Sequence, residues 1–157
     1  MQEDSEDVGA RTVAATVGTL FHAVHDHMRE HVRGMDHDGL NWKPLPLANS
    51  VAVLIVHTLG SELEMIRALR SLTTERDRPA EFKAEVDQAE LLALLDQADR
   101  DLDEQLGALD AADLTELRTR GDRPPRPGID WLLSNYGHAR EHLAQIELTK
   151  QLYDSRT

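Results

Sequence analysis

The sequence contains no cysteine. Disulfide bonds, cysteine-ligated zinc sites and protein thiol nucleophiles are therefore excluded. Aromatic residues make up only 4% of the 157 residues, and the chain has nine glycines and six prolines. A core drawn from this composition must consist mainly of leucine, valine, isoleucine and alanine. This composition, with few helix-breaking residues, favours a fold in which helices pack on helices.

Long apolar runs and an excess of basic residues are also missing. The longest uninterrupted apolar run, residues 51–56, is too short to span a bilayer. The formal net charge of −12 repels phosphate backbones, so we expect neither a nucleic-acid nor a membrane partner. The first residues, MQEDSED, are acidic where a secretory signal would be basic and then apolar. We therefore expect a cytoplasmic protein.

Four segments have the apolar periodicity of amphipathic helices. They cover approximately residues 8–33, 50–72, 88–109 and 129–153. Asn49 and Ser50 are typical N-cap residues for the second of these helices. No segment has a convincing strand pattern, and the connections near residues 35–48, 73–79 and 110–128 are predicted as loops. The pattern predicts an all-α four-helix bundle, with residues 1–157 forming a single domain.

The most informative chemical signal is the pair His138 and His142, which lie one helical turn apart in the fourth helix. Two neutral imidazoles at this spacing can bind one divalent metal ion. Helical geometry places them off the main apolar stripe, on a second seam with Trp131, Gln145 and Thr149. A seam of this mixed character suits the wall of a cleft. The alternative is that the seam faces water and the pair has no role.

A third histidine, His57, flanks the apolar stripe of the second helix. If the fold brings it to the pair on the fourth helix, the chain has a three-histidine site with an open coordination position. An open position is typical of a site for chemistry rather than of a structural metal site. The alternative for His57 is a hydrogen-bonded histidine at a helix edge.

The first helix and the loop after it hold a second group of histidines, which are His22, His25, His27, His31 and His37. His31 falls within the apolar stripe of that helix, His25 lies at its edge and His22 lies off it. We interpret the group as a solvated histidine-rich turn near a helix C-terminus, where an imidazolium charge is favoured. The alternative is that His27 or His31 borders the same cleft as the pair.

Two stretches of the chain resemble the DinB-like superfamily. NWKP at residues 41–44, then Asn49, Ser50 and VLIVHTLGSE at residues 53–62, are similar to its second-helix signature. YGHAREHLAQIEL at residues 136–148 is similar to its fourth-helix signature. The likeness in helix order and spacing extends over nearly the whole chain.

The resemblance implies a four-helix bundle with up-down-down-up order and a nickel or zinc site built from His57, His138 and His142. It also implies a homodimer that acts on a small-molecule substrate. Some members are transferases or isomerases that use bacillithiol, mycothiol or glutathione. Because this chain has no cysteine, any thiol in such a reaction must arrive with a substrate or cofactor.

Three functions remain open at this point. The first is a metal-dependent thiol S-transferase, in which Trp131 would line the cleft and Arg123 and Arg126 would meet carboxylates of the thiol. The second is metal-dependent hydrolysis, for which Glu141 is poorly placed as a proton-transfer partner because it points away from His142 around the helix. The third is a bundle without catalytic activity that binds a metal, a ligand or a partner. The sequence does not identify the substrate.

Overall fold

The computed structural model describes residues 2–156, and for residues 2–6 it describes only the backbone. This part of the chain contains seven helices and one pair of two-residue strands, joined by turns and loops. The helices are α1 (Gln2–Arg33), α2 (His37–Asn41), α3 (Val51–Leu69), α4 (Arg78–Glu81), α5 (Gln88–Gly107), α6 (Ala111–Thr115) and α7 (Gly128–Asp154). The strands β1 (Leu117–Arg118) and β2 (Arg126–Pro127) pair antiparallel. The all-α prediction is confirmed, and α1, α3, α5 and α7 are the four long helices that the periodicity predicted.

The predicted loops contain structure that the sequence pattern did not reveal. The short helices α2, α4 and α6 begin after Asp36, Asp77 and Asp110, whose carboxylates each accept a backbone N–H of the first turn. The expectation of no strand was wrong for residues 117–118 and 126–127, which form the ladder. Elements of two to five residues are too short to show an apolar period, so periodicity cannot detect them.

The ends of α3 determine where the following segment lies. Its predicted N-cap is confirmed, because the Ser50 side chain accepts the Val53 N–H at 3.2 Å. The helix ends at Leu69 rather than near residue 72, and Ser71 adopts a left-handed backbone conformation with φ of 55°. After this turn the chain runs back along α3, so that Arg76 lies 3.0 Å from Glu64.

Each long helix packs against two others: α1 and α3 both contact α5 and α7. Two side-chain contacts give the direction of each helix pair. Between α1 and α5 they are His22 with Asp103 and Arg29 with Asp96, and between α3 and α7 they are Ser61 with Asn135 and His57 with His142. Between α1 and α7 they are Phe21 with Tyr136 and His31 with Glu147. The α1–α5 and α3–α7 pairs therefore run antiparallel, whereas α1 and α7 run parallel.

The core lies between these four helices and has the predicted composition. Its largest fully buried side chains are mainly aliphatic: Phe21, Met28, Leu40, Ile55, Met65, Ile66, Leu69, Leu91, Leu95, Leu132 and Ile146. Leu133, which the periodicity placed on the inward stripe, is instead 52% exposed. Within residues 2–156, no helix has the length and apolar character needed to cross a membrane.

Candidate metal centre

The antiparallel packing of α3 on α7 brings His57 to the turn-spaced pair His138 and His142. The ring centroid of His57 lies 5.2 Å from that of His138 and 5.3 Å from that of His142. One nitrogen from each of the three rings lies within 4.8 Å of the other two. The fold therefore brings together the three histidines that the sequence selected, although His57 lies more than eighty residues before the other two in the chain.

The two histidines of α7 hold their Nε2 atoms close enough together to share one cation. Their Nε2 atoms are 2.9 Å apart, and Nδ1 of His142 lies 3.0 Å from Oε1 of Gln145. A proton on Nδ1 of His142 satisfies that bond and leaves its Nε2 lone pair directed at His138. Nδ1 of His138 is buried without a hydrogen-bond partner. A proton on Nε2 of His138 would donate to Nε2 of His142, whereas a proton on Nδ1 would leave both Nε2 atoms able to bind one divalent cation.

His57 is oriented by a carboxylate. Its Nδ1 donates to Oε2 of Glu81 at 2.8 Å, which leaves Nε2 free of a proton and able to bind a metal. The ring is also packed against Phe82, with centroids 4.7 Å apart. Metal-binding histidines commonly donate their second N–H to a carboxylate, which fixes the tautomer and makes the ligand more basic. The three rings and this carboxylate fit a divalent transition-metal ion with a preference for nitrogen ligands.

Glu81 is itself held by Arg76, whose Nε and Nη2 donate to its two oxygens at 2.7 and 2.8 Å. Such a two-pronged guanidinium–carboxylate pair fixes orientation as well as distance. Gly60 on α3 makes room for it, because a Cβ atom at that position would collide with Oε1 of Glu81. The sequence pattern did not identify Glu81, Arg76 or Gly60 as part of this site. The one local signal was a glycine inside a helix, which often marks a close approach.

A second arginine connects the loop between β1 and β2 to α3. Arg120 is buried, and it donates to Oε2 of Glu64 at 2.7 Å and to the carbonyl and Oγ of Ser61 at 2.9 and 2.7 Å. Nδ2 of Asn135 on α7 donates to the same Ser61 Oγ at 2.9 Å. This hydrogen-bond network fixes the relative position of α3 and α7 about one helical turn from the histidines.

The surroundings of His138 and His57 favour their neutral forms. Burial lowers the pKa of His138 to about 4, and electrostatic repulsion from His142, His57 and Arg120 during its protonation acts in the same direction. Burial also lowers the pKa of His57, although Glu81 opposes this effect. Both imidazoles are therefore neutral at pH 7, as metal ligation requires.

Comparison with known proteins identifies the family. The family model described as the DinB superfamily matches residues 20–146, which is most of the chain. The chain belongs to the DinB superfamily. The resemblance seen in the two helix signatures is thereby confirmed.

Solved structures share the fold of this DinB-superfamily chain. A conserved protein from Enterococcus faecalis is 20% identical with a TM-score of 0.74, and the match covers 89% of this chain and 96% of that protein. DinB-like proteins from Bacillus subtilis and Bacillus cereus are 16% and 13% identical with TM-scores of 0.70 and 0.67. Those matches cover 90% and 82% of this chain, and 94% and 84% of the other chains. No curated protein sequence matches significantly.

The residues suggested as cleft partners in this DinB-superfamily chain have other contacts. Trp131 is only 2% exposed, and its indole N–H donates to the Arg118 carbonyl at 2.8 Å, so it packs in the interior rather than lining an open cleft. The Arg126 guanidinium lies 4.4 Å from the Trp131 ring centroid. The Arg123 side chain is 42% exposed and lies 3.6 Å from Glu64. Glu141 is exposed.

The histidines of α1 lie outside the candidate metal centre, and the interpretation of a solvated turn was wrong for His25. His25 is completely buried between Glu62 of α3, at 2.8 Å, and Asp99 of α5, at 2.6 Å. Burial by itself lowers its pKa, but the charge of Glu62 and the hydrogen bonds to both carboxylates outweigh burial and raise the pKa to about 9. A helix packed between two neighbours buries a wider arc than one stripe, which explains the error.

The other histidines of this group remain closer to solvent. His27 and His37 are exposed, as the sequence interpretation expected. His22 is half-buried and pairs with Asp103 at 2.7 Å, and His31 is half-buried at 3.6 Å from Glu147. Among the described residues, the three-membered histidine group suited to a metal includes none of them.

Proposed function

We propose that this DinB-superfamily protein is a metal-dependent thiol S-transferase, with His57, His138 and His142 as ligands to a nickel or zinc ion. The observation that carries the proposal is the convergence of three imidazole rings from α3 and α7, each with a nitrogen atom within 4.8 Å of the other two. Within residues 2–156 this group contains no carboxylate. Three nitrogen ligands leave room for an external ligand, which is typical of catalytic rather than structural sites.

The side chains around the site would position its ligands. Glu81 sets the tautomer of His57, Arg76 fixes Glu81, and Gln145 orients His142. A divalent ion held there would supply Lewis acidity, which lowers the pKa of a coordinated thiol.

The thiol must come from outside, since the chain has no cysteine. Its sulfur would form a bond to an electrophilic carbon of the second substrate as the leaving group departs. Arg123 is exposed enough to pair with a carboxylate of the thiol.

A thiol-conjugation assay tests this function. Protein prepared without a histidine tag and loaded with nickel or zinc is offered bacillithiol, mycothiol or glutathione with a panel of electrophiles, and thiol consumption is followed. We expect turnover that disappears, together with the bound metal, in His142→Ala. The matched control is His37→Ala, which changes an exposed histidine of α2. Absence of turnover with every thiol contradicts the proposal, and turnover without thiol favours hydrolysis.

We also propose the finer architecture that the resemblance implies. The antiparallel α1–α5 and α3–α7 pairs and the parallel α1–α7 pair support up-down-down-up order, and the continuous core supports one domain over residues 1–157.

Leu133, Leu148 and Leu152 on α7 are 52%, 56% and 41% exposed, which supports a homodimer contact on this helix. Light scattering of the purified protein tests the dimer. A cytoplasmic location and a small-molecule substrate also remain proposals.

A further inference from the structure

A groove lies between α3 and α5 and is bordered by residues 74–77 and Glu81. Its volume is about 380 Å³, which is within the range of about 300–1,000 Å³ seen for small-molecule sites. None of the three histidines of the metal centre lines it. The groove is therefore a separate feature of the molecule, although Arg76 and Glu81 belong to both surroundings.

The body of the groove is apolar. Its apolar lining comes mainly from the two long helices and includes Val56, Leu59, Leu63, Ile66, Leu94 and Leu102. Leu63 and Leu94 are 37% and 38% exposed. Covering these side chains with an apolar ligand would remove them from water, and this would favour binding.

Most of the charged side chains that line the groove are negative. It contains six carboxylates and a single basic side chain, Arg76. Glu64 and Glu81 are paired with Arg76, and Glu62 is paired with His25. The other three carboxylates, those of Glu75, Asp77 and Asp101, have no cationic partner among the described side chains. Asp77 accepts the Ala80 N–H at 3.1 Å, and Asp101 accepts from the Gln97 amide at 2.9 Å, so both keep their negative charge. The groove thus carries a negative potential that favours a cation.

One carboxylate of the lining has an oxygen atom that is not hydrogen-bonded. Glu62 is only 3% exposed and contributes to the lining of the groove. Its Oε2 contacts His25, whereas its Oε1 is buried without a hydrogen-bond partner. An unsatisfied buried oxygen is costly. His25 contacts only the other oxygen of this carboxylate, so a cation in the groove would lower the remaining cost.

We propose that this groove binds an amphipathic organic cation. The apolar part of the ligand lies along the leucines of α3 and α5. Its cationic head lies between Glu75 and Asp77 on one side and Asp101 on the other. Apolar burial supplies affinity, and the carboxylates that lack a cationic partner select the sign of the charge.

Three probes that share one skeleton test the proposal: 4-phenylbutyltrimethylammonium, 4-phenylbutanol and 4-phenylbutyrate. Binding to the full chain is measured by calorimetry and by amide chemical shifts, after chelation of metal so that the carboxylate probe has no ion to bind. We expect the cation to bind at least fivefold more tightly than the alcohol and the carboxylate to bind most weakly. Added salt should weaken binding of the cation. The shifted amides should include those of Leu63, Leu94 and Asp101.

Variants on α5 locate the site. Asp101→Asn should weaken binding of the cation by about twofold to fivefold, whereas Glu104→Gln, on the same helix but outside the groove, should leave it unchanged. Ala98→Leu should fill the groove and abolish binding, whereas Ala93→Leu on the exposed face should not. The proposal is overturned if wild-type protein binds no probe, binds the alcohol as tightly as the cation, or shifts only amides away from the groove.

Discussion

At the scale of single residues, Glu81 controls the geometry of the candidate metal centre through His57. Glu81→Gln keeps the shape of the side chain but removes the charge that fixes the histidine tautomer. We expect metal affinity to fall by about 10- to 100-fold, as measured by competition with a chelator of known affinity. Glu85→Gln, which changes an exposed carboxylate nearby in the chain, is the control. Equal affinity in wild type and Glu81→Gln would show that the carboxylate does not orient the ligand.

His25 is predicted to make stability depend on pH. Its pKa is about 9 in the folded protein, above the ordinary value of 6.5, so the stability it confers is complete below pH 6.5 and is lost as pH rises through 9. We expect the free energy of unfolding to fall by at most about 3 kcal/mol over this window. Urea denaturation at pH 6, 7.5 and 9.5 measures it.

Two histidine variants separate this effect from other alkaline titrations. His25→Gln cannot carry the charge, so its stability should change little over the same pH window. His27→Gln alters an exposed histidine of the same helix and should retain the pH dependence of the wild type. An equal alkaline decline in His25→Gln and wild type would assign the effect to other groups.

At the scale of elements, a glycine on α3 sets how closely α4 approaches. Alanine is a better helix former than glycine by up to about 1 kcal/mol, yet Gly60→Ala places a Cβ against Oε1 of Glu81. We expect the Glu81–His57 contact to be displaced and metal affinity to fall. Calorimetric titration with zinc or nickel measures the change.

Gly137 on α7 provides the contrasting case. It lies within the helix beside His138, and a Cβ atom there would meet nothing within 4 Å. Gly137→Ala should therefore raise the free energy of unfolding by about 0.5–1 kcal/mol with metal affinity retained. If both glycine variants lose metal to the same extent, the collision with Glu81 is not the cause.

At the scale of the whole molecule, metal binding should be linked to folding. The three histidines come together only when α3 packs on α7, so an unfolded chain offers no such site. Metal at 100 times its dissociation constant should stabilise the fold by about 2.7 kcal/mol. Thermal unfolding of wild type with and without metal measures this as a rise in Tm. His142→Ala should show no such rise, and an equal rise in that variant would place the metal elsewhere.

The sequence by itself determined the features that depend on neighbours in the chain. Four long segments with apolar residues at helical spacing predicted α1, α3, α5 and α7, and Ser50 predicted the start of α3. Helical periodicity and capping both depend on residues that are close together in the chain. The spacing of His138 and His142 placed them on one helix face for the same reason. His57 was a candidate third ligand from its place in the second predicted helix, and the resemblance to the DinB-like signatures joined it to the pair, which spacing alone could not do.

Only the tertiary structure decided which distant groups meet. The support of His57 by Glu81 depends on the turn after α3 and on a helix of four residues, and neither has a period that a sequence pattern can detect. The burial of His25 and of Trp131 depends on which neighbouring elements cover them. Helix formation is encoded within a few residues, whereas burial, pairing and pKa are set by packing between segments far apart in the chain.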